Sequence, residues 1–387
     1  MKNILLLGAT GSIGDSVLNV IKQNSNKLNL VGIAFQSNTT KAISIIEEFA
    51  PDYAYCESKA NLKIINDYLK KSEGIELFNN KSELQHLLNH RSIDIIISAI
   101  SGFSGLETTF MAAQSGKIIL LANKESIVAA GDIILPTAKK YNTEIIPIDS
   151  EHNAIFQCLN SEKNTDDVSK IIITASGGPF LNKKVDDLSG VTKKEALNHP
   201  NWKMGSKITI DSATLVNKCL ELIEAKYLFD LNEEYFELVV HPQSIIHSIV
   251  TYKDGSSICQ MSNPDMRVPI SHALSLEESR LSLNFSEINF SSLNLTFQEF
   301  PKDRLEIANL AREVCNTRGS TGTVFNAANE VAVENFLNDK ITFNKIYDVI
   351  YRTFDAIPLS KDIDIEAIHE IDNQTRIEAQ KVVKSLT

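Results

Sequence analysis

The sequence predicts an α/β chain in three parts: a parallel sheet covered by helices, a mixed α+β domain and a helical C-terminal domain. Three observations predict it. Over residues 1–149, continuous apolar stretches alternate with amphipathic ones, the pattern of a parallel sheet buried on both faces. From residue 150 the apolar stretches are joined by longer, less regular connections. From Asp303 onward, apolar residues recur at helical spacing.

Taken in order, NILLLG (3–8) reads as the first strand and SIGDSVLNVIKQN (12–24) as the first helix. LNLVGIAF (28–35) is a strand, and TTKAISIIEEFA (39–50) a helix stopped by Pro51. ANLKIINDYLKK (60–71) and KSELQHLLNH (81–90) are further helices, and IDIIISAI, KIILLAN and TEIIPI further strands. In the second part KIIITAS, FELVV, SIIHSIVTY and SSICQM read as strands. Lys253-Asp254-Gly255 is a hairpin signal joining the last two. FELVV and SIIHSIVTY are expected to pair antiparallel. The polar stretch around 284–302 reads as a linker, and the helical part runs from 303 to 387.

The bulk numbers exclude several functions. The chain has 387 residues, 43% of them hydrophobic, enough for more than one core. A net charge of −11 without a long basic run argues against nucleic acid or an anionic membrane as partner. No apolar run reaches the roughly 18 residues of a membrane span, and no signal peptide is apparent. The five cysteines are scattered without a CxxC, as in a reducing compartment. A cytoplasmic protein is the expectation.

GATGSIG (8–14) follows the first strand and opens the first helix. Its glycines permit a tight turn and let backbone N–H groups approach a pyrophosphate at the helix N-terminus, so residues 1–149 are read as a Rossmann-like dinucleotide domain. The second strand ends in Gln36, Ser37 and Asn38 with no acidic residue to hold a ribose 2′-hydroxyl. Those groups, Thr39 and the later Lys41 suit a 2′-phosphate, which favours NADPH. An ordinary polar loop would look the same.

PIDSEHNAIF (147–156) places Asp149 and Glu151 where a strand gives way to a helix. Acids are common there because they suit the helix dipole. A third carboxylate changes the weighing. DSATLVNKCLELIEA (211–225) reads as one helix, with Asp211 and Ser212 at the cap and Asn217, Lys218 and Glu221 on a single face at about 100° per residue. Leu215, Val216, Cys219, Leu220, Leu222 and Ile223 take the core side. Three carboxylates without a Cys/His pair would choose Mg²⁺ or Mn²⁺ over zinc. His152 is expected to point away from them. TASGGPF ends a strand in a turn able to hold an anion. HPNWKMG (199–205) carries the lone Trp, on either a closing lid or a surface loop. LLANKES puts Asn123, Lys124 and Glu125 at the carboxyl end of a strand, where open sheets bind ligands.

Together GATGSIG, LLANKES, PIDSEHNAIFQ, TASGGPF, HPNWKMGSKITIDSATLVNKCLE, HPQSIIHSIV, PDMRVPI and NAANEVAV resemble, in this order and essentially end to end, the 1-deoxy-D-xylulose 5-phosphate reductoisomerase family. The resemblance implies isomerisation and NADPH-dependent reduction of that sugar phosphate to 2-C-methyl-D-erythritol 4-phosphate, for isoprenoid precursors. It implies Mg²⁺ or Mn²⁺ at Asp149, Glu151 and Glu221. Ser176, Ser212, Asn217 and Lys218 match the family's phosphate-binding groups, and Lys124 and Ser150 residues beside the reacting carbons. His199, Trp202 and Met204 match its closing loop. Lys124, Glu151 and His199 form the catalytic set. For the cofactor it implies Thr10, Gly11, Ser12, Ile13, Gln36, Ser37, Asn38, Asn123, Glu125 and Gly205. It implies a homodimer, with 1–149 binding NADPH, 150–283 catalytic and dimerising, 284–302 a linker and 303–387 helical.

Three positions depart from the family pattern. Ser37 stands where many members have Lys, which leaves the 2′-phosphate to other groups. Cys219 stands where Gly is usual, and a packing change is expected there. HALSLEES (272–279) lacks a proline-rich tail common in relatives. Two other readings compete. A semialdehyde-dehydrogenase type needs a nucleophilic cysteine, and an NADP-sensing regulator has no use for three carboxylates.

Overall fold

The computed structural model describes residues 1–69, 74–160, 165–276 and 278–386. Lys70 and Lys71, the last residues of the helix expected over 60–71, lie outside them, as does Glu277 of HALSLEES. The chain divides into two compact units. The first comprises 1–123, 134–149 and 266–285, and the second 124–133, 150–265 and 286–387.

The first unit alternates β1 (Lys2–Leu7), α1 (Ser12–Gln23), β2 (Leu28–Ala34), α2 (Thr39–Phe49), β3 (Tyr53–Tyr55), α3 (Lys59–Leu69), β4 (Glu76–Phe78), α4 (Lys81–Leu88), β5 (Ile95–Ser98), α5 (Leu106–Ala113), β6 (Ile118–Leu121), α6 (Lys124–Tyr141) and β7 (Glu144–Pro147). Among the described residues its sheet has seven strands in the order β4-β3-β2-β1-β5-β6-β7. Every pairing is parallel. Strands β1 and β5 are buried along nearly their whole length, which is why they read as apolar runs rather than alternating ones. The three-residue strands β3 and β4 gave no such signal. Helix α2 ends at Ala50 in the left-handed region, φ 45°, just before Pro51.

The second unit contains α7 (Ser150–Asn160), β8 (Val168–Ala175), α8 (Lys193–Ala196), α9 (Ser206–Thr214), α10 (Val216–Leu228), β9 (Phe236–Val240), β10 (Ile246–Tyr252) and β11 (Ser257–Met261). Helix α11 (Arg267–Leu274) follows and belongs to the first unit. There Lys2 Nζ donates to the Leu274 carbonyl at 3.0 Å and Arg267 Nη1 to Asn19 Oδ1 at 3.1 Å. Residues 266–285 thus belong to the first unit, whereas the sequence reading assigns 266–283 to the 150–283 segment.

The second sheet runs β11-β10-β8-β9-β12, with β12 (Gln298–Glu299) supplied by the stretch read as a linker. The expected antiparallel pairing of FELVV with SIIHSIVTY does not form. Strand β9 pairs parallel with β8, and β8 lies between β9 and β10. The physical reason is burial: β8 needs a partner on each edge, and the hairpin at Gly255 (φ 87°) already gives β10 its neighbour β11.

Helices α12 (Leu305–Thr317), α13 (Thr321–Leu337), α14 (Lys345–Ala356) and α15 (Ile365–Leu386) close the chain. They share one apolar core with α7, β8, α9, α10, β9 and β10, running from Val128 to Val383. Helix α10 explains why: Val216, Cys219, Leu220, Leu222, Ile223 and Ala225 are all fully buried. A helix apolar on so wide an arc requires cover on more than one side. Cys219 Sγ lies 3.6 Å from the Ile307 carbonyl of α12, on the core side as expected.

Candidate active site

The glycine turn is built as its sequence implies. Gly8 has φ 87°, and a Cβ there would meet the Ala99 carbonyl at 2.5 Å. A Cβ on Gly14 would meet the Ala9 carbonyl at 2.3 Å, so this glycine lets α1 close onto the first strand's end. Gly11 caps α1 with no side-chain hydrogen bond, and within 4 Å its Cβ would touch only the Gly8 carbonyl, at 3.3 Å. The N-terminus of α1 is thus left open to an anion approaching its backbone N–H groups. Gln36, Ser37 and Asn38 are exposed at the end of β2. Lys41 Nζ donates to the Thr10 carbonyl at 3.0 Å and pairs with Asp15 at 2.7 Å, so it braces the turn from below. Asn123 Nδ2 donates to the Gly102 carbonyl at 2.9 Å, tying together the ends of β5 and β6.

In the second unit, the helix expected over 211–225 is broken. Leu215 sits at φ 62°, ending α9 and opening α10. Asp211 and Ser212 are therefore not caps but buried residues in the last turns of α9. The polar face of α10 is not solvated either, since Lys218 is 3% and Glu221 1% exposed.

On that face, Glu221 Oε1 accepts from Lys124 Nζ at 3.0 Å and from Asn217 Nδ2, and Glu221 Oε2 accepts from Lys218 Nζ. Lys218 Nζ also donates to Glu151 Oε1 at 2.6 Å, and Ser150 Oγ donates to Glu151 Oε2. Burial alone pushes the Lys218 ammonium down, but the Glu151 and Glu221 carboxylates outweigh it and hold its pKa above the ordinary value. Each of Asp149, Glu151 and Glu221 offers a carboxylate oxygen, all within 4.8 Å of one another. That donor set is hard and all-oxygen, and fits Mg²⁺ or Mn²⁺. The Lys218 ammonium, held between two of the carboxylates, shows that the site attracts a cation. His152 is not part of it: its Nε2 faces the Glu221 carbonyl at 2.9 Å and its Nδ1 the Glu224 carboxylate at 3.3 Å, both residues fully buried.

The strand-end turn forms a second group. Gly177 and Gly178 have φ 84° and 66°, and a Cβ on Gly178 would meet the Ser212 carbonyl at 2.7 Å. Ser176 Oγ accepts from Gly178 N at 3.2 Å and lies 3.0 Å from His199 Nε2 and 3.4 Å from Ser212 Oγ. His199 Nδ1 accepts from the backbone N–H of Asn201 (3.1 Å) and Trp202 (2.9 Å), so the ring proton is on Nε2 and is donated to Ser176. Burial lowers the His199 pKa to about 4, which keeps the ring neutral near pH 7. Trp202 packs its ring 5.9 Å from that of His247 on β10, and residues 202–205, Met204 among them, have no regular structure before Gly205 caps α9.

Family models match along most of the chain. One for 1-deoxy-D-xylulose 5-phosphate reductoisomerase covers residues 4–131, and two for its C-terminal domains cover 145–229 and 261–378. A protein of that name from Clostridium botulinum (strain Loch Maree) is 42% identical over 381 residues, 97% of this chain and 98% of its own. One from Vesicomyosocius okutanii is 40% identical over 385 residues, 99% of each. The chain belongs to the 1-deoxy-D-xylulose 5-phosphate reductoisomerase family. The Zymomonas mobilis reductoisomerase solved with NADPH superposes with a TM-score of 0.91 at 37% identity over all of both chains. A reductoisomerase solved with NADPH, fosmidomycin and magnesium superposes at 0.92, with 37% identity over 100% of this chain and 99% of its own.

Family membership removes the need for a thiol nucleophile; Cys259 is exposed on β11, with its pKa raised by partial desolvation. Cys56, Cys158, Cys219 and Cys315 are buried, and burial raises their pKa values, that of Cys158 to about 12. Three residues around the reductoisomerase cluster, Lys207, Asn329 and Tyr347, escaped sequence reasoning, and Asp211 was read only as a cap. Lys207 Nζ pairs with Glu125 at 2.9 Å and with Asp211 at 2.8 Å, and Asp211 Oδ1 accepts from Asn329 Nδ2 at 2.9 Å. Tyr347 OH donates to the Thr214 carbonyl at the helix break. The i, i+4 spacing of Lys207 and Asp211 was legible as a helical ion pair, but nothing local marked their partners on α6 and α13.

Proposed function

We propose that Asp149, Glu151 and Glu221 hold the divalent ion, and that the side chains around them bind the sugar phosphate. The reaction is that of the family: 1-deoxy-D-xylulose 5-phosphate is isomerised and reduced with NADPH to 2-C-methyl-D-erythritol 4-phosphate, in the methylerythritol phosphate route to isoprenoids. The observation that carries the site assignment is three carboxylates within 4.8 Å, two of them bonded to buried lysines. When bound, Mg²⁺ or Mn²⁺ would supply Lewis acidity toward the substrate's ketone and hydroxyl oxygens.

The chain's own groups supply the rest. Lys124 and Ser150 flank Glu221 and Glu151 and place an ammonium and a hydroxyl beside the reacting carbons. With a divalent ion held by Glu151 and Glu221, the Lys218 ammonium and the Asn217 amide would be available to the phosphate. Ser176 Oγ already accepts from Gly178 N and His199 Nε2, so the Ser176 and Ser212 pair has a hydroxyl proton left to donate outward to the phosphate. Neutral His199 thus acts by orienting Ser176, and Trp202 and Met204 close over the substrate. Thr10, Gly11, Ser12 and Ile13 cradle the NADPH pyrophosphate, with Gln36, Ser37 and Asn38 toward the 2′-phosphate and Asn123, Glu125 and Gly205 along the rest of the cofactor.

We further propose a cytoplasmic homodimer. Cysteines that form no disulfide fit a reducing compartment, and no helix among the described residues is long and apolar enough to cross a membrane. Light scattering giving twice the chain mass would support the dimer, and a single-chain mass would refute it. The function is tested by following NADPH oxidation with deoxyxylulose phosphate. Consumption that requires Mg²⁺ or Mn²⁺ and ceases with a chelator is expected. No consumption with either ion would overturn the reading.

A further inference from the structure

Lys124 and Glu125 are consecutive residues of opposite charge at the start of α6, 4% and 7% exposed. Neighbouring buried charges of opposite sign attract strongly, yet each side chain is bonded elsewhere. Lys124 Nζ reaches Asn217 Oδ1 and Glu221 Oε1 on α10, both at 3.0 Å. Glu125 Oε1 reaches Lys207 Nζ on α9 at 2.9 Å. The break at Leu215 makes this division possible, because it lets two consecutive helices receive two consecutive residues.

Lys207 is itself anchored. Asp211, one turn along α9, takes its ammonium at 2.8 Å, and Asp211 is held in turn by Asn329 of α13 at 2.9 Å. Asp211 and Asn329 are 1% and 0% exposed. Burial alone would push the Glu125 carboxyl up, but the charge and hydrogen bond of Lys207 outweigh it and hold it below the ordinary carboxylate range.

We propose that Lys207 is a positioning residue: by holding Glu125 toward α9 it prevents that carboxylate from capturing Lys124, and so keeps the Lys124 ammonium on Glu221, Asn217 and the substrate. Besides Lys207, the cation whose charge acts on Glu125 is its chain neighbour Lys124, and an unpaired buried carboxylate is costly enough to draw that ammonium over. The inference rests on the assignment of Lys124 to the substrate site and deepens it.

The experiment is a double-mutant cycle of Lys207→Met and Glu125→Gln, with Lys207→Arg as the conservative variant, read as KM for deoxyxylulose phosphate and kcat. Lys207→Met alone is expected to raise that KM and lower kcat/KM by at least about ten-fold, a coupling typical of contacting charges. In the Glu125→Gln background, where position 125 carries no charge to compete with Glu221 for Lys124, the same substitution is expected to change KM by less than about two-fold. Lys207→Arg should restore near-wild-type KM. Equal losses in both backgrounds, or an unchanged KM in Lys207→Met, would overturn the proposal. If Lys207→Met does not fold, Lys207→Gln is read in its place: a sugar-phosphate KM raised about ten-fold or more supports the proposal, and a KM within about two-fold of wild type refutes it. Wild-type turnover of deoxyxylulose phosphate is the control that separates failure of this inference from failure of the functional reading.

Discussion

Glu221 joins more of the site than any other side chain: it is fully buried, bonded to Lys124, Asn217 and Lys218, and one of three carboxylates able to share an ion. Glu221→Gln keeps its size and removes its charge. It should lower metal-dependent turnover by more than about a hundred-fold, beyond the usual effect of changing an outer-shell partner. NADPH binding, measured by fluorescence titration, should stay within two-fold or so of wild type, since the glycine turn is untouched. His199 makes a second prediction. Its folded pKa is depressed to about 4 while the unfolded value is near 6.5, so the unfolded chain takes up the proton first. The stability it contributes is therefore complete above pH 6.5 and lost as pH falls toward 4. Denaturant unfolding across that window should show a steeper loss for wild type than for His199→Gln. A matching slope would mean the ring is protonated in the fold.

The element that matters most is the pair α9 and α10, and the sequence misled there. DSATLVNKCLELIEA has unbroken helical periodicity, and Leu215 carries no turn signal. Leucine at φ 62° is unfavourable in itself. It is held by contacts from far along the chain: its side chain is buried in the core, and Tyr347 of α14 caps the Thr214 carbonyl at 2.9 Å. Tyr347→Phe should cost about 1–2 kcal/mol, the price of leaving that carbonyl short of a donor. Chemical denaturation measures it, and an unchanged midpoint would show that the break stands without its cap. Asn217, Lys218 and Glu221 were legible as one face because they lie in an unbroken stretch of α10. Their burial was not, since a polar face looks the same in sequence whether water or a partner covers it.

At the scale of the whole molecule, the C-terminal helices share their apolar core with the rest of the second unit. Phe325, Phe343, Ile346 and Ile350 belong to the same core as Ile210, Leu220 and Phe236. Deleting residues 305–387 should leave a chain without a cooperative thermal transition by circular dichroism, because α10 loses its cover. A truncated protein that still melted sharply would refute a shared core. Residues 124–133 belong to this unit as well, where Thr323 Oγ1 donates to the Ala129 carbonyl at 2.8 Å, beside the non-helical Ala130. The sequence could not place them, since chain order puts them among the strands of the first sheet.

The sequence by itself determined the parallel sheet, the glycine turn and the residue types of the carboxylate cluster, because each rests on local periodicity or on spacing within short segments. It determined the family for the same reason, through eight short motifs in order. Only the tertiary structure decided which ion pairs form, where α9 breaks, how β8 and β9 pair, and that Lys207 pairs with Glu125. Those outcomes depend on burial and on partners distant in the chain, 82 residues apart for Lys207 and Glu125 and 133 for Tyr347 and Thr214.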